Sequence, residues 1–326
     1  MNSIKNIAVL TSGGDSPGMN AAIRAVVRAG IYNGLKVYGV RHGYHGLING
    51  HISEMKSYHV SNIIQRGGTI LKTARSAEFK TDEGRKAAWE NMQKFEINAL
   101  MVIGGDGSFR GAMEFSRQYP VSCIGLPGTI DNDIWGTEET IGYDTCLNTV
   151  IDAIDKIRDT ASSHNRMFVI EVMGRDAGFI AMHCGIAGGA EAVLIPELKD
   201  EHLKLFSQLE DGNSRKKSSS IILVAEGDHV GGAYEFVKTY ADKLKGYDVR
   251  VTVLGHIQRG GSPSPFDRFL ASRMGVAAVE AALRGETNIM IGLSHSKIVT
   301  VPLEKAVKIH KKMDKELLHV LNVLNV

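Results

Sequence analysis

Residues 6–32 read NIAVLTSGGDSPGMNAAIRAVVRAGIY, and this stretch sets the fold class. Ile7–Thr11 is an unbroken, mostly apolar run, as expected of a strand buried on both faces of a sheet. Met19–Tyr32 carries apolar residues at helical spacing. Between the two lie Gly13, Gly14, Pro17 and Gly18, the punctuation of a tight strand-to-helix turn. A strand, a glycine turn and a helix form the repeating unit of an α/β protein.

The unit recurs along the chain. Strand-like runs at Val37–Val40, Ala99–Ile103, Val121–Leu126, Met167–Met173, Ile221–Ala225, Val249–Leu254 and Ile298–Val301 alternate with helix-like segments at Glu83–Phe95, Leu147–Thr160, Ala233–Lys245 and Phe269–Arg284. At 326 residues the chain accommodates two domains. The expectation is α/β: two similar three-layer domains with mostly parallel sheets covered by helices on both faces. Residues 211–220 (DGNSRKKSSS) read as a polar loop, and Leu317, Leu318, Leu321 and Leu324 as the internally packed stripe of a C-terminal helix.

Composition excludes several classes. The formal charge of +2, from 38 basic and 36 acidic residues, gives no electrostatic ground for nucleic acid or an anionic membrane. Three cysteines, Cys123, Cys146 and Cys184, lack CxxC spacing, so neither a disulfide framework nor a zinc site is expected and a reducing cytoplasm is. Met-Asn-Ser-Ile-Lys leads directly into a strand-like segment, so no secretory leader is expected. No apolar run approaches the roughly 20 residues that span a bilayer.

In an open α/β sheet, ligands bind beyond the carboxyl ends of the strands. TSGGDSPGMNAAIR (residues 11–24) reads as a phosphate cradle or as a plain turn; it is neither a P-loop nor GxGxxG. IGGDGSFRGA (103–112) adds Asp106, which would repel an anion unless Mg²⁺ lay between them; Asp106 or Ser108 equally suits a helix cap. GLPGTIDNDI (125–134) places Asp131 and Asp133 on alternate positions, aimed alike if the segment is extended. They serve as a base with its supporting carboxylate, or as a solvated Asx turn. Arg166, Arg175, Arg250 and Arg259 suit phosphoryl oxygens, and His256 either joins them or is structural. With no HExxH in the chain, these residues favour phosphoryl transfer over hydrolysis.

TSGGDSPGMNAAIR, IGGDGS, PGTIDND, EVMGR and GHIQRGGSP occur in the same order as in bacterial ATP-dependent 6-phosphofructokinases, which the chain resembles from about residue 4 to 290. The resemblance implies transfer of the ATP γ-phosphoryl group to the 1-hydroxyl of fructose 6-phosphate, with Mg²⁺. It implies Asp131 as base, Asp133 as its support, and Thr129 at the reacting end of sugar and phosphoryl group. Asp106 matches the metal position, and Gly13, Arg75, Ser76, Gly105, Gly107 and Ser108 the nucleotide contacts. Arg175 and Arg75 match stabilisers of the transferring group. Met173, Gly174 and Glu226 match sugar contacts; His256 and Arg259 match the 6-phosphate site, completed by Arg166 and Arg250 of a neighbouring subunit in a homotetramer. Residues 1–142 plus about 258–308 would form the nucleotide domain, and 143–257 plus about 309–326 the sugar-phosphate domain.

The resemblance also implies effector binding of ADP and phosphoenolpyruvate at Arg24, Arg28, Arg158, Arg215 and Lys217, with Glu191 linked to Mg²⁺. Arg24 and Arg28 share a helix face at i,i+4. This chain departs from the pattern at His51 (arginine in relatives), Asn62 (acidic), and Ser76 and Arg41 (aromatic), which bears on effector response and adenine packing. The pyrophosphate-using branch resembles GGDDS and PKTIDND; Gly107 and Gly128 here favour ATP. The alternatives are that pyrophosphate enzyme and a catalytically silent nucleotide-binding subunit.

Overall fold

The computed structural model describes residues 4–162, 166–198, 205–206 and 220–324. In chain order the strands are β1 (Asn6–Ser12), β2 (Lys36–Val40), β3 (Ile52–Met55), β4 (Ala99–Gly104), β5 (Ser122–Pro127), β6 (Arg166–Val172), β7 (Ala192–Leu194), β8 (Ser220–Ala225), β9 (Asp248–Val253), β10 (Ile289–Ser294) and β11 (Lys297–Pro302). The helices are α1 (Met19–Tyr32), α2 (Gly43–Ile48), α3 (Asp82–Lys94), α4 (Asp106–Gln118), α5 (Tyr143–Ser162), α6 (Phe179–Ala187), α7 (Gly232–Thr239), α8 (Pro265–Leu283), α9 (Leu303–Lys308) and α10 (Lys315–Leu324). The chain divides into two compact units. The first comprises Met1–Ile130, Ile134–Thr145 and Arg259–Lys311; the second comprises Asp131–Asp133, Cys146–Gln258 and Lys312–Val326.

The first unit holds a seven-stranded sheet in the order β11-β10-β5-β4-β1-β2-β3. Its five inner strands are parallel, and β3 and β11 run antiparallel at the two edges. Strand alternation sends Ile7 and Val9 to one face, against α1 and α8, and Ala8 and Leu10 to the other, against Met92, Phe109 and Phe115. Both faces are therefore covered, which is why β1 and β4 read as continuous apolar runs. The second unit holds an all-parallel sheet, β7-β8-β6-β9. One of its faces packs Val169, Ile222 and Val224 against Phe206 and Phe236.

The two units share the layered parallel plan but differ in sheet size. β3, β7 and β10 were not among the sequence-read strands. β3 (ISEM) is a short edge with exposed Ser53 and Glu54, and β7 has three residues, so neither carries enough alternation to register. Three helices depart from the expected bounds, α5 by beginning at Tyr143, four residues before Leu147. α7 stops at Thr239 because the following turn drives Leu244 into the core, with Tyr240 against the rings of Phe206 and Phe236. α8 begins four residues early because Ser264 caps it and Pro265 takes its first position. Residues 211–219 of the expected polar loop lie outside the described residues; Ser220 opens β8. α10 packs on α6 and buries Leu321, while Leu324 stays exposed. No helix among the described residues is long and apolar enough to cross a membrane.

Candidate active site

In the first unit the chain steps from β1 to β2 on one side and to β4, β5 and β10 on the other, so the order reverses between β1 and β4. Register pairs Ser12 with Gly104 and Gly104 with Pro127, which brings three strand ends side by side. Gly13 follows β1 with φ +88°, and its carbonyl accepts the Thr73 hydroxyl at 2.6 Å. Gly104 has no room for a side chain: a Cβ would lie 2.5 Å from both Ser108 Oγ and the Ser12 carbonyl oxygen. Gly105 caps α4, placing Asp106, Gly107 and Ser108 on its first turn, where the positive end of the helix dipole favours an anion. Open space surrounds Gly107. The buried hydroxyl of Tyr44 donates to the Ser108 carbonyl at 2.6 Å and fixes that turn.

Asp106 Oδ2 accepts Arg110 Nε at 2.9 Å, one helical turn on. After β5, the Gly128 N–H donates to the Gly104 carbonyl at 3.0 Å. The Thr129 carbonyl accepts the Thr140 hydroxyl at 2.6 Å. Arg259 lies over Gly14 and donates to the Asp15 carbonyl at 3.2 Å, beside the first glycine loop. Arg75 is exposed in the segment before α3, and Ser76 Oγ accepts the Phe79 N–H at 3.2 Å.

In the second unit, register pairs Val172 with Ala225 and Glu171 with Val253, so β6, β8 and β9 also end together. Met173, Gly174 and Arg175 follow β6, Glu226 follows β8, and His256 follows β9, exposed on a 3₁₀ turn. Glu226 Oε1 accepts the backbone N–H of Arg175 at 2.8 Å and of Gly174 at 3.3 Å. Arg175 thereby holds a left-handed backbone, φ +54°, uncommon for a residue with a side chain. Gly227 lets it do so, since a Cβ there would lie 1.8 Å from the Arg175 carbonyl oxygen. From this turn Arg175 Nε comes within 4.0 Å of Asp131 Oδ2. The aspartate is 4% exposed and the arginine 59%, so a buried carboxylate faces a solvent-accessible cation. Asp133 is half-buried. Asn132 between them has φ +51°, so the segment is turned rather than extended, and the alternation expected of the two aspartates does not apply.

Arg166 and Arg250 do not join His256 within this unit. Arg166 opens β6, seven residues and roughly 20 Å before Met173. Its Nε donates to Asp248 at 2.8 Å, and Arg250 meets the same carboxylate at 3.0 Å. The hydrogen bond from Arg166, with Arg250 beside it, holds Asp248 below the usual carboxylate range.

The expected effector residues separate by unit. Arg24 and Arg28 lie together on α1, and burial, with the neighbouring Arg28 charge, lowers the Arg24 pKa. Arg158 reaches 4.0 Å from Glu191 and donates to the Gly188 and Gly189 carbonyls at 2.6 Å, closing the end of α6. Glu191 also accepts the Ile221 N–H at 2.6 Å. Arg215 and Lys217 lie outside the described residues. Asn62 has φ +54°, a conformation that asparagine tolerates, and His51 is exposed.

Sequence reasoning passed over Gln258, although GHIQRGGSP contains it. Buried, it accepts the Met173 N–H at 3.2 Å through Oε1 and donates to the Gly255 carbonyl at 3.0 Å, tying the β6 and β9 loops together. No local signal marks it, since Gln258 stands between Ile257 and Arg259 in the sequence.

Residues 6–282 match the family described as phosphofructokinase. The chain belongs to the phosphofructokinase family. It is 56% identical over 326 residues to ATP-dependent 6-phosphofructokinase 2 of Bacteroides thetaiotaomicron, covering all of both chains. It is 52% identical to the ATP-dependent 6-phosphofructokinase of Cytophaga hutchinsonii, covering 99% of this chain and 98% of that one. Among solved structures, the phosphofructokinase from Saccharomyces cerevisiae superposes with a TM-score of 0.88 at 39% identity over 98% of this chain; the chain spans about half, 47%, of the yeast phosphofructokinase chain. A pyrophosphate-dependent phosphofructokinase from Marinobacter aquaeolei, at 23% identity over 98% of this chain and 91% of that one, shares the fold with a TM-score of 0.86.

Proposed function

We propose that the chain is an ATP-dependent 6-phosphofructokinase, transferring the γ-phosphoryl group of ATP to the 1-hydroxyl of fructose 6-phosphate. The carrying observation is the buried Asp131 carboxylate with Arg175 Nε at 4.0 Å, a base beside a cation. Asp131 takes the proton of the attacking hydroxyl, with Asp133 as its supporting carboxylate and Thr129 at the reacting centre. Arg175 and Arg75 balance charge on the transferring group. Phosphoryl transfer asks little covalent chemistry of the protein; positioning and charge supply the rate.

Gly13, Gly105, Gly107 and Ser108 line the nucleotide side of the first unit, with Arg75 and Ser76. Among the described residues no cluster of three or more His, Cys, Asp or Glu is arranged to hold a metal. One carboxylate, Asp106, fits Mg²⁺ that arrives with the nucleotide, since that ion keeps waters and phosphate oxygens as its other ligands. When bound, the ion would neutralise charge on the phosphates. Gly107 supports ATP over pyrophosphate by leaving room beside the cradle. Gly128 supports it too, because a Cβ there would lie 2.9 Å from the Ile103 Cγ2 methyl and a lysine is poorly accommodated.

Met173, Gly174 and Glu226 serve the sugar, and His256 and Arg259 its 6-phosphate. Arg166 and Arg250, remote from the β6 carboxyl end of their own unit, serve the site of a neighbouring subunit, which supports a homotetramer. Arg24, Arg28, Arg158, Glu191, Arg215 and Lys217 form the effector site for ADP and phosphoenolpyruvate, and the enzyme works in the cytoplasm. A coupled assay comparing ATP and pyrophosphate as donors tests the reading. Turnover with ATP that falls at least about a hundredfold in Asp131→Asn, with the KM for sugar little changed, is the expected result; full turnover in that variant, or pyrophosphate as the better donor, would overturn it.

A further inference from the structure

Asp267 stands on the first turn of α8 and is fully buried. Ser264, Pro265, Phe266 and Asp267 spell the S-x-x-D of a capping box, in which the acid turns back to its own helix start. Half of that device is present: Ser264 Oγ accepts the Asp267 N–H at 3.2 Å. The carboxylate, however, crosses to another helix. Its Oδ1 accepts the Gly142 N–H at 2.7 Å, and its Oδ2 accepts the Thr145 N–H at 2.8 Å and the Thr145 hydroxyl at 2.5 Å. The start of α5 is thus capped from α8. The exchange is mutual, because the Ser264 hydroxyl donates to Asp144 at 2.5 Å and the Ser264 N–H donates to Thr145 Oγ1 at 2.9 Å.

What this node holds is the return limb of the loop after β5. The Ile141 N–H donates to the Pro127 carbonyl at 2.8 Å, and Thr140 holds the Thr129 carbonyl as described above. The limb Thr140–Thr145 therefore starts beside Pro127–Thr129, with Ile141 bridging Gly128 in parallel, and is fastened at its far end by Asp267. The first glycine loop leans on the same limb. Gly142 (φ +105°) is so close to that loop that a Cβ would lie 2.6 Å from Ser16 Cβ, and a Cβ on Gly18 would lie 2.7 Å from Ile141 Cγ2. Burying a carboxylate is costly without donors, and here three donors converge on it.

We propose that Asp267 is a positioning residue for phosphoryl transfer: through Gly142, Thr145 and Thr140 it fixes Thr129, and with it the approach of the loop that carries Asp131, against the first glycine loop. This rests on the reading of Thr129–Asp133 as the catalytic loop. Asp267 touches neither substrate, so its removal acts on turnover through geometry, where a misplacement of about 1 Å costs about a hundredfold.

Asp267→Asn keeps the shape but sets an amide against N–H donors, and Thr140→Val removes the Thr140 hydroxyl's hydrogen bond to the Thr129 carbonyl with little change of volume. For the full-length enzyme, kcat and the KM values for ATP and fructose 6-phosphate are measured for both variants, beside thermal melting. The expected result is a kcat lowered about tenfold or more in each, with the KM for ATP changed less than about threefold. In the Asp131→Asn background, adding Asp267→Asn should cost far less, since both act through one loop. A lowered melting temperature with kcat within about twofold of wild type, or equal losses with and without Asp131, overturns the proposal. If Asp267→Asn does not fold, Thr140→Val decides by the same criterion. Should Asp131→Asn itself retain full turnover, the reading of the catalytic loop fails; if only the Asp267 and Thr140 variants do, the positioning role alone fails.

Discussion

Arg175 Nε lies 4.0 Å from Asp131 Oδ2, and the backbone that aims it is fixed by the Glu226 carboxylate. The pairing of carboxylate and cation therefore depends on one strand-end turn. Arg175→Ala is expected to lower kcat by about 10²–10³-fold, the range for losing one preorganised charge donor. Arg175→Lys, which keeps charge but loses the planar fork, should recover only part of it. Steady-state kinetics check this, and an unchanged kcat in Arg175→Ala would remove the arginine from the chemistry.

Donor choice separates two glycines that look alike in the sequence. Open space surrounds Gly107, whereas Gly128 is hemmed in by Ile103 and Met19. Gly107→Asp should leave the melting temperature nearly unchanged and raise the KM for ATP at least about tenfold, by setting a carboxylate beside the phosphates. Gly128→Lys should instead destabilise by about 1–3 kcal/mol through overpacking. Denaturant titration and ATP kinetics on both variants distinguish the two effects; a wild-type KM for ATP in Gly107→Asp would place the phosphates elsewhere.

Arg166 and Arg250 share Asp248 rather than facing His256. If they complete a neighbour's site, Arg166→Ala should raise the KM for fructose 6-phosphate about 10–100-fold with kcat largely kept, as expected for lost charge-assisted hydrogen bonds to a phosphate. Mixed oligomers of Arg166→Ala and Asp131→Asn chains should regain tight sugar binding at a fraction of their sites. Strictly additive defects after subunit exchange would place both residues in one chain's own site.

One buried and one half-buried acid should shape stability against pH. Burial lifts Glu139 to about 7; Lys311 opposes that, while Asp144, Asp267 and Glu138 add to it. Burial also lifts Asp267 to about 6, against the pull of its three donors and with a further push from Asp144. A raised folded-state pKa contributes stability that is complete below the unfolded value, near 4, and is lost as pH rises through the folded one. Melting temperature should therefore decline between about pH 4 and 7. Glu139→Gln should flatten that decline and stabilise the protein at pH 8 by on the order of 1–3 kcal/mol. A pH profile of melting identical to wild type would assign the decline to other groups.

Much of the framework was legible because its causes are local. Apolar runs at β1 and β4 are continuous because both faces are covered, Gly13 marks a turn with positive φ, and Gly104 marks a close approach that a side chain would obstruct. What escaped reading depends on partners distant in sequence. The turn at Asn132 was one of two open readings, and asparagine's tolerance of positive φ did not by itself decide between turn and extended chain. Asp267 reads as half of a capping box until Gly142, 125 residues away, is seen to claim its carboxylate. Arg166 and Arg250 were named as phosphate ligands, but only the strand register reveals that Arg166 stands at the amino end of its sheet.

The sheet order carries a consequence for biosynthesis. β10 pairs with β5, yet β5 ends at Pro127 and β10 begins at Ile289. At about 5–20 residues per second, a ribosome needs roughly ten to thirty seconds to deliver the missing neighbour. Through that interval the nascent chain carries β5 as an uncovered apolar edge, the surface on which aggregation starts and chaperones act. Yield on expression should thus respond to translation speed between residues 127 and 289 more than to changes after Pro302.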